Sequence, residues 1–201
     1  MDAAESSTAT PLPQTPGEDR HGALALVNTE FSRPSGPYDG LRDAESAAAW
    51  LSDRGLAPSG ARIGARELDQ LLELRRSLRE LLDAHLSGGS PDPAALSTLN
   101  SALAAAPAVR AVRWEEAGPV AAVCRPAGEP VGAALTALAE DGVELLTGPP
   151  SGRLSSCGAP GCTRLFVRNH GARRWCSDRC GNRVRAARHY VDHHSARGRA
   201  V

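Results

Sequence analysis

The chain has 201 residues, 41 % of them hydrophobic, and balances 23 basic against 23 acidic side chains. That is long enough for one ordinary domain plus one small module, with apolar content enough for a packed core. No run approaches the length of a membrane span, and no positively charged start leads into an apolar core. The chain therefore reads as cytoplasmic and outside membranes, in a compartment where thiols stay reduced.

The neutral total hides a partition. Residues 153–201 carry 11 Arg against Asp178 and Asp192, about +9, whereas residues 1–152 carry 12 Arg against 21 acids, about −9. Such asymmetry points to a polyanionic partner at the C-terminal end. Every basic side chain is Arg and none is Lys, a bias of the kind a GC-rich genome produces. The planar guanidinium fork nevertheless suits phosphates and guanine edges.

Residues 1–20, rich in Ala, Ser, Thr and Pro without periodicity, read as a disordered tail. An ordered domain is expected over 21–148. Its first element, Ala23 to Thr29, is a short apolar run that periodicity cannot assign to helix or strand. The turn-rich stretch Ser32 to Gly40 follows. Asp43 then caps a helix through Trp50 and Leu51 that stops at Gly55. The longest element, about Arg66 to Leu86, repeats Leu71, Leu74, Leu78 and Leu81 or Leu82 at helical spacing. Asp92 and Pro93 open another helix carrying Leu96, Leu99 and Leu103.

Ala108 to Trp114 and Val120 to Arg125 flank Glu115-Glu116-Ala117-Gly118-Pro119 and read as an antiparallel hairpin. A final helix runs from Val131 to about Leu146, and Thr147 to Gly152 breaks the chain. No nucleophile, base and orienting group form a set in this domain and no cofactor loop is present, so no enzyme is expected. His21 and His85 are isolated, Cys124 reads as a buried apolar thiol, and Asn28 and Asn100 read as partners of backbone groups or as caps of an element rather than as ligands.

Four of the five cysteines fall in 24 residues as Cys157-x4-Cys162-x13-Cys176-x3-Cys180. Two thiol pairs on tight turns can converge on one tetrahedral Zn²⁺. A module of roughly 40 residues buries too little apolar surface to fold without such a staple. Four thiolates complete the shell and leave no open position for water, so the zinc is structural. His170, His189, His193 and His194 then read as surface residues. Cys157 to Cys162 makes one knuckle. Leu165-Phe166-Val167 reads as a strand, Asn169-His170-Gly171 as a turn and Arg173-Arg174-Trp175 as the returning strand. Cys176 to Cys180 then leads a helix from about Ser177 to His193 or His194. The expected fold class is α+β: a mostly helical N-terminal domain with a small antiparallel hairpin, then a treble-clef-like four-cysteine zinc finger over 153–196.

Arg173-Arg174-Trp175-Cys176-Ser177 followed by Cys180-Gly181-Asn182-Arg183 resembles the CGNR zinc-finger family. Leu24-Ala25-Leu26-Val27-Asn28-Thr29 and the stretch Ala137 to Gly148 resemble the start and end of its usual partner, the ABATE domain. Families of this architecture are described as stress-induced transcription regulators of bacterial type. The resemblance implies double-stranded DNA as partner of the finger, with the N-terminal domain sensing a small-molecule effector or assembling a homo-oligomer. At 100° per residue, Cys180, Val184, Ala187, Tyr190 and Val191 share one face of the terminal helix, expected to cover the zinc and the hairpin. Arg185 and Arg188 fall on the opposite face, free to meet phosphates or base edges. Arg183 lies at the edge of the apolar face and reads equally as a brace for knuckle carbonyls. Arg173 and Arg174, adjacent in a strand, would point to opposite faces and send one side chain to a phosphate. An RNA-binding or protein-interaction module is the competing reading, including masking of the basic finger by the acidic domain.

Overall fold

The computed structural model describes residues 13–107, 109–124 and 130–197. Among these residues are six α-helices, a short 3-10 helix (Ser151–Arg153) and three two-stranded antiparallel sheets. The Ala/Leu run resolves as helix α1 (Gly22–Val27), with Ala23 to Val27 all buried. Its N-terminus carries no local side-chain cap. Instead Asp141, from a distant helix, accepts from the Ala23 amide (2.7 Å) while its other oxygen lies 2.7 Å from His21 Nδ1. His21, isolated in the sequence, is thus half of a tertiary hydrogen-bonded pair.

The stretch expected as turns, Ser32 to Gly40, holds the end of β1 (Glu30–Arg33) and all of β2 (Gly36–Asp39), which pair as a hairpin. Its tightness comes from Gly36 at φ +108°. Helix α2 (Ala44–Asp53) begins as the sequence indicates, with Asp43 and Ser46 forming a reciprocal capping box. Helix α3 (Ala65–Ser87) buries Leu71, Leu74, Leu78, Leu81 and Leu82, the expected stripe, and ends on Gly88 in the left-handed region. Helix α4 (Pro93–Ala105) starts from Asp92, whose carboxylate accepts from the Ala94 amide. Helix α5 (Pro130–Thr147) packs against α1, α3 and α4 and closes the helical core. Between α4 and α5 lies the hairpin of β3 (Val109–Glu115) and β4 (Gly118–Cys124). The expected strand ends at Ala108 and Arg125, and the side chain of Cys124, lie outside the described residues.

Buried Arg75 on α3 fastens the β1–β2 hairpin to the helices. Its two terminal nitrogens reach Asp39 at 2.6 and 2.9 Å, and it also contacts Thr29 Oγ1 and Glu30. Burial pushes the Asp39 carboxyl up. The Arg75 bond, the Leu41 amide and the charges of Arg75 and Arg42 outweigh it and hold Asp39 below the usual carboxylate range.

The finger does not hang from a linker. Strands β5 (Leu154–Ser156) and β6 (Leu165–Val167) pair antiparallel around the first knuckle. Leu154, Leu165 and Val167 belong to the same buried cluster as α1, α3 and α5. Phe166, pointing the other way, is fully buried in a second cluster with Cys157, Cys176 and Cys180. The two-residue period of a strand thus makes β6 the wall between both cores. The Thr147 to Gly152 breaker ends a helix without separating two packing units.

Polar groups complete the join. Asn28 Oδ1 accepts from the Leu165 amide (2.9 Å) and Asn28 Nδ2 donates to the Leu165 carbonyl (2.8 Å), so one side chain pairs both backbone groups as a neighbouring strand would. Asn28 Nδ2 also reaches Glu18 (2.6 Å), which pairs with Arg164 (3.0 Å), both side chains being under one-tenth exposed. The Val167 amide donates to the Pro16 carbonyl, and Thr15 is buried beside Leu165. The disordered-tail expectation is therefore corrected for residues 13–20, which line the free edge of β6. Gly17, at φ +98°, is required there: a Cβ would come 3.0 Å from Val167 Cβ. Residues 1–12, the rest of that expected tail, lie outside the described residues.

Replacing Asn28 by Ala would leave the buried Leu165 amide without its acceptor, a loss of about 1–3 kcal/mol, while the Leu165 carbonyl keeps the Thr15 hydroxyl (3.0 Å). We expect Asn28→Ala to lower stability by about 2 kcal/mol, read from the midpoint of urea unfolding. A midpoint shift no larger than that of a surface Asn substitution would show that the clasp carries no weight.

Candidate metal centre and nucleic-acid face

The first knuckle is set by backbone bonds. The Cys157 amide donates to the Arg164 carbonyl (2.9 Å) and the Cys162 amide to the Ala159 carbonyl (3.1 Å), with Gly161 at φ +70° completing the turn. The second knuckle opens helix α6 (Asp178–Arg197), where Ser177 Oγ accepts from the Cys180 amide (3.4 Å) in the manner of a cap. Residues 173–175, expected as the returning strand, form none. They lie beside the first knuckle, where the Arg174 carbonyl accepts from the Gly158 amide (2.9 Å). The partner of β6 is β5 because the residues before Cys157 and after Cys162 are already brought together by the knuckle.

The four sulfurs lie within 4.8 Å of one another, with Cys162 and Cys176 at 3.8 Å and Cys176 and Cys180 at 3.7 Å. Zinc–sulfur bonds of about 2.3 Å in a tetrahedron place sulfurs about 3.8 Å apart, so the donor set fits one Zn²⁺. Thiols this close together hydrogen-bond to one another and shift each other's titration. Hydrogen bonds from Cys162 and Cys176 hold the Cys157 thiol down at about 2, while the thiols that donate are pushed up, Cys162 to about 11 and Cys176 further still. A divalent ion relieves this by stabilising all four as thiolates. The Cys176 amide adds a hydrogen bond to Cys157 Sγ (3.4 Å).

The residues around Cys180 each have a local task. Gly181 is buried under Trp175, and a Cβ there would lie 3.1 Å from the indole ring and 3.2 Å from the Arg185 guanidinium. Asn182 Oδ1 accepts from Arg185 (2.5 Å), whose guanidinium sits 5.6 Å from the Trp175 ring centroid. Arg183 donates to the Pro160 carbonyl (2.8 Å), bracing the first knuckle. The sequence could not choose between this brace and a nucleic-acid contact, because Pro160 lies 23 residues away. Arg173 Nε bonds the Trp175 carbonyl (3.0 Å). Arg174, Arg185 and Arg188 are exposed.

Residues 20–149 match the ABATE family model, described as "Putative stress-induced transcription regulator", and residues 153–192 match the CGNR zinc-finger model. The chain belongs to the ABATE family. The first match alone spans well over half of it, and no curated protein matches the chain. The Cys-Gly-Asn-Arg run of this ABATE protein is thus a zinc ligand, a close-packed backbone position, an orienting amide and a knuckle brace. Its zinc is structural.

One expectation about α6 is corrected. Cys180 and Val184 pack on the metal cluster, but Ala187 and Tyr190 are exposed, so only the start of the helix is docked. Among the described residues the small finger core ends at Val184. The side chains of Val191, Asp192, His193 and His194 lie outside the described residues. Among the described residues no helix is long and apolar enough to cross a membrane.

Zinc removal should unravel α6 and leave the helical core intact, because Cys180 and Cys176 anchor the helix whereas the larger cluster is fully apolar. Chelation, or Cys180→Ser, should lower helical circular dichroism by part of the total while preserving a cooperative thermal transition. Complete loss of that transition would mean that zinc also holds the ABATE domain.

Proposed function

We propose that this ABATE protein is a transcription regulator that binds double-stranded DNA through the exposed arginine side of its zinc finger. The observation that carries the reading is the presentation of Arg185. Its guanidinium is stacked on Trp175 and held by Asn182 at the start of a helix that projects beyond the finger core. A guanidinium fixed in this way loses little entropy when it forks onto a phosphate or a guanine edge. Arg188 lies one turn further along α6, and Arg174 is exposed on the segment that supplies Trp175. The basic segment has few acids to compete with a polyanion, and zinc with four thiolates subtracts only two charges from about +9.

Arg173 and Arg183 act first through the backbone carbonyls they hold and contribute mainly field to the same surface. The docking of β6 gives this surface a fixed orientation relative to the helical domain, which suits a protein whose other half decides when or as what assembly it binds. Masking by the acidic domain is not favoured: the finger turns Arg164 and Thr163 toward that domain and leaves Arg185 and Arg188 exposed.

The test is enrichment of zinc-loaded full chain on a random duplex pool, then titration of a selected site with wild type and the Arg185→Ala, Arg188→Ala double variant. The variant should bind about tenfold or more weakly at unchanged zinc content, with the salt slope reduced by about 0.9 for each phosphate it no longer touches. Unchanged affinity would remove α6 as the contact surface. Preference for RNA over the best duplex would overturn the DNA assignment.

A further inference from the structure

The hairpin of β3 and β4 adds no described residue to either buried cluster. Each strand has the other as its only substantial packing partner among the described residues. A two-stranded hairpin standing alone in water is marginally stable at best. This one nevertheless holds seven paired positions and exposes Val109, Val112 and Trp114 at 55, 74 and 80 %. The alternation of β-strand side chains puts Arg110, Val112 and Trp114 on one face. The cross-strand partners of Val112 and Trp114, Ala121 and Pro119, are also exposed. An open strand edge beside an apolar face with a bare tryptophan is the kind of surface that recruits another strand.

We infer that the β3 edge pairs antiparallel with β3 of a second copy of this chain, on a two-fold axis through Val112, giving a four-stranded sheet across a homodimer. The choice of edge follows from composition. β4 contains Pro119, which lacks an amide to donate, whereas every β3 residue has one. The choice of occupant and direction follows from charge. β3 carries Arg110 toward its start and Glu115 at its end, with Glu116 following in the turn. Antiparallel pairing of two identical strands brings the basic end of each to the acidic end of the other, and parallel pairing sets like against like. With the axis at Val112, Arg110 stands across from Trp114 of the other copy, a cation over an aromatic face, and Val112 meets its own copy. Moving the axis to Arg113 would oppose two guanidinium groups. The acids at the tip also disfavour this hairpin as a second nucleic-acid contact.

The zinc-loaded full chain in sedimentation equilibrium should be a dimer that dissociates on dilution. Val112→Glu, at a side chain already exposed in the protomer, should give a folded monomer at every concentration, with unchanged circular dichroism. For register, Val112→Cys and Arg110→Cys would each be placed in a Cys124→Ala background and treated with diamide. The first should form a disulfide-linked dimer and the second should not, because Arg110 stands four residues from its own copy. A monomeric wild type, a dimer that survives Val112→Glu, or equal cross-linking of the two cysteine variants would overturn the proposal.

Discussion

The contact on which the rest depends is the grip of Asn28 on the backbone of Leu165. A side-chain amide that pairs with both the amide and the carbonyl of one strand residue does what a neighbouring strand would do, here from the C-cap of α1. It fixes β6 in register against the helical core. Since successive side chains of a strand point oppositely, fixing Leu165 inward also fixes Phe166 toward the sulfurs and Val167 back into the helical core. One hydrogen-bonded pair thus sets the relation between an apolar core and a metal cluster.

The charged groups around this clasp act on specificity more than on stability. Arg164 and Glu18 are both deeply buried, and the desolvation of such a pair consumes most of what its attraction returns. What the pair secures is uniqueness. Only one docking of the finger places a guanidinium between Glu18, the Pro13 carbonyl and the face of Phe31. The consequence for function is directional. Zinc closes the knuckles, Arg183 locks one to α6, Trp175 and Asn182 hold Arg185, and the clasp holds all of these against the helical domain. The metal has a mechanical part, since its four thiolate ligands leave no position for a substrate.

Much of this is legible in the sequence where the cause is local. The cysteine spacing, the caps at Asp43 and Asp92, and the leucine stripe of α3 each declare themselves within a few residues. The family resemblance adds the pairing of an ABATE domain with a CGNR finger. What is not legible depends on distant partners. Asn28 is unremarkable until Leu165, 137 residues later, is beside it. Thr15 and Glu18 look like tail residues because their surroundings are polar in sequence and only the fold buries them. The partner of β6 differs from the expected one because Leu154 to Ser156 and Arg173 to Trp175 are equally short, and closure of the first knuckle selects the former. The outer positions of α6 repeat at helical spacing, yet spacing cannot say whether anything lies opposite them.

Native-state hydrogen exchange on the zinc-loaded chain tests the central claim, that the finger strand and the ABATE core open together, most directly. The Leu165 and Val167 amides, bonded to Asn28 and Pro16, should exchange as slowly as those of Leu74 and Leu78 on α3 and respond to urea with the same slope. Exchange of the β6 amides much faster than α3, with little urea dependence, would contradict it and make the finger an independently opening module.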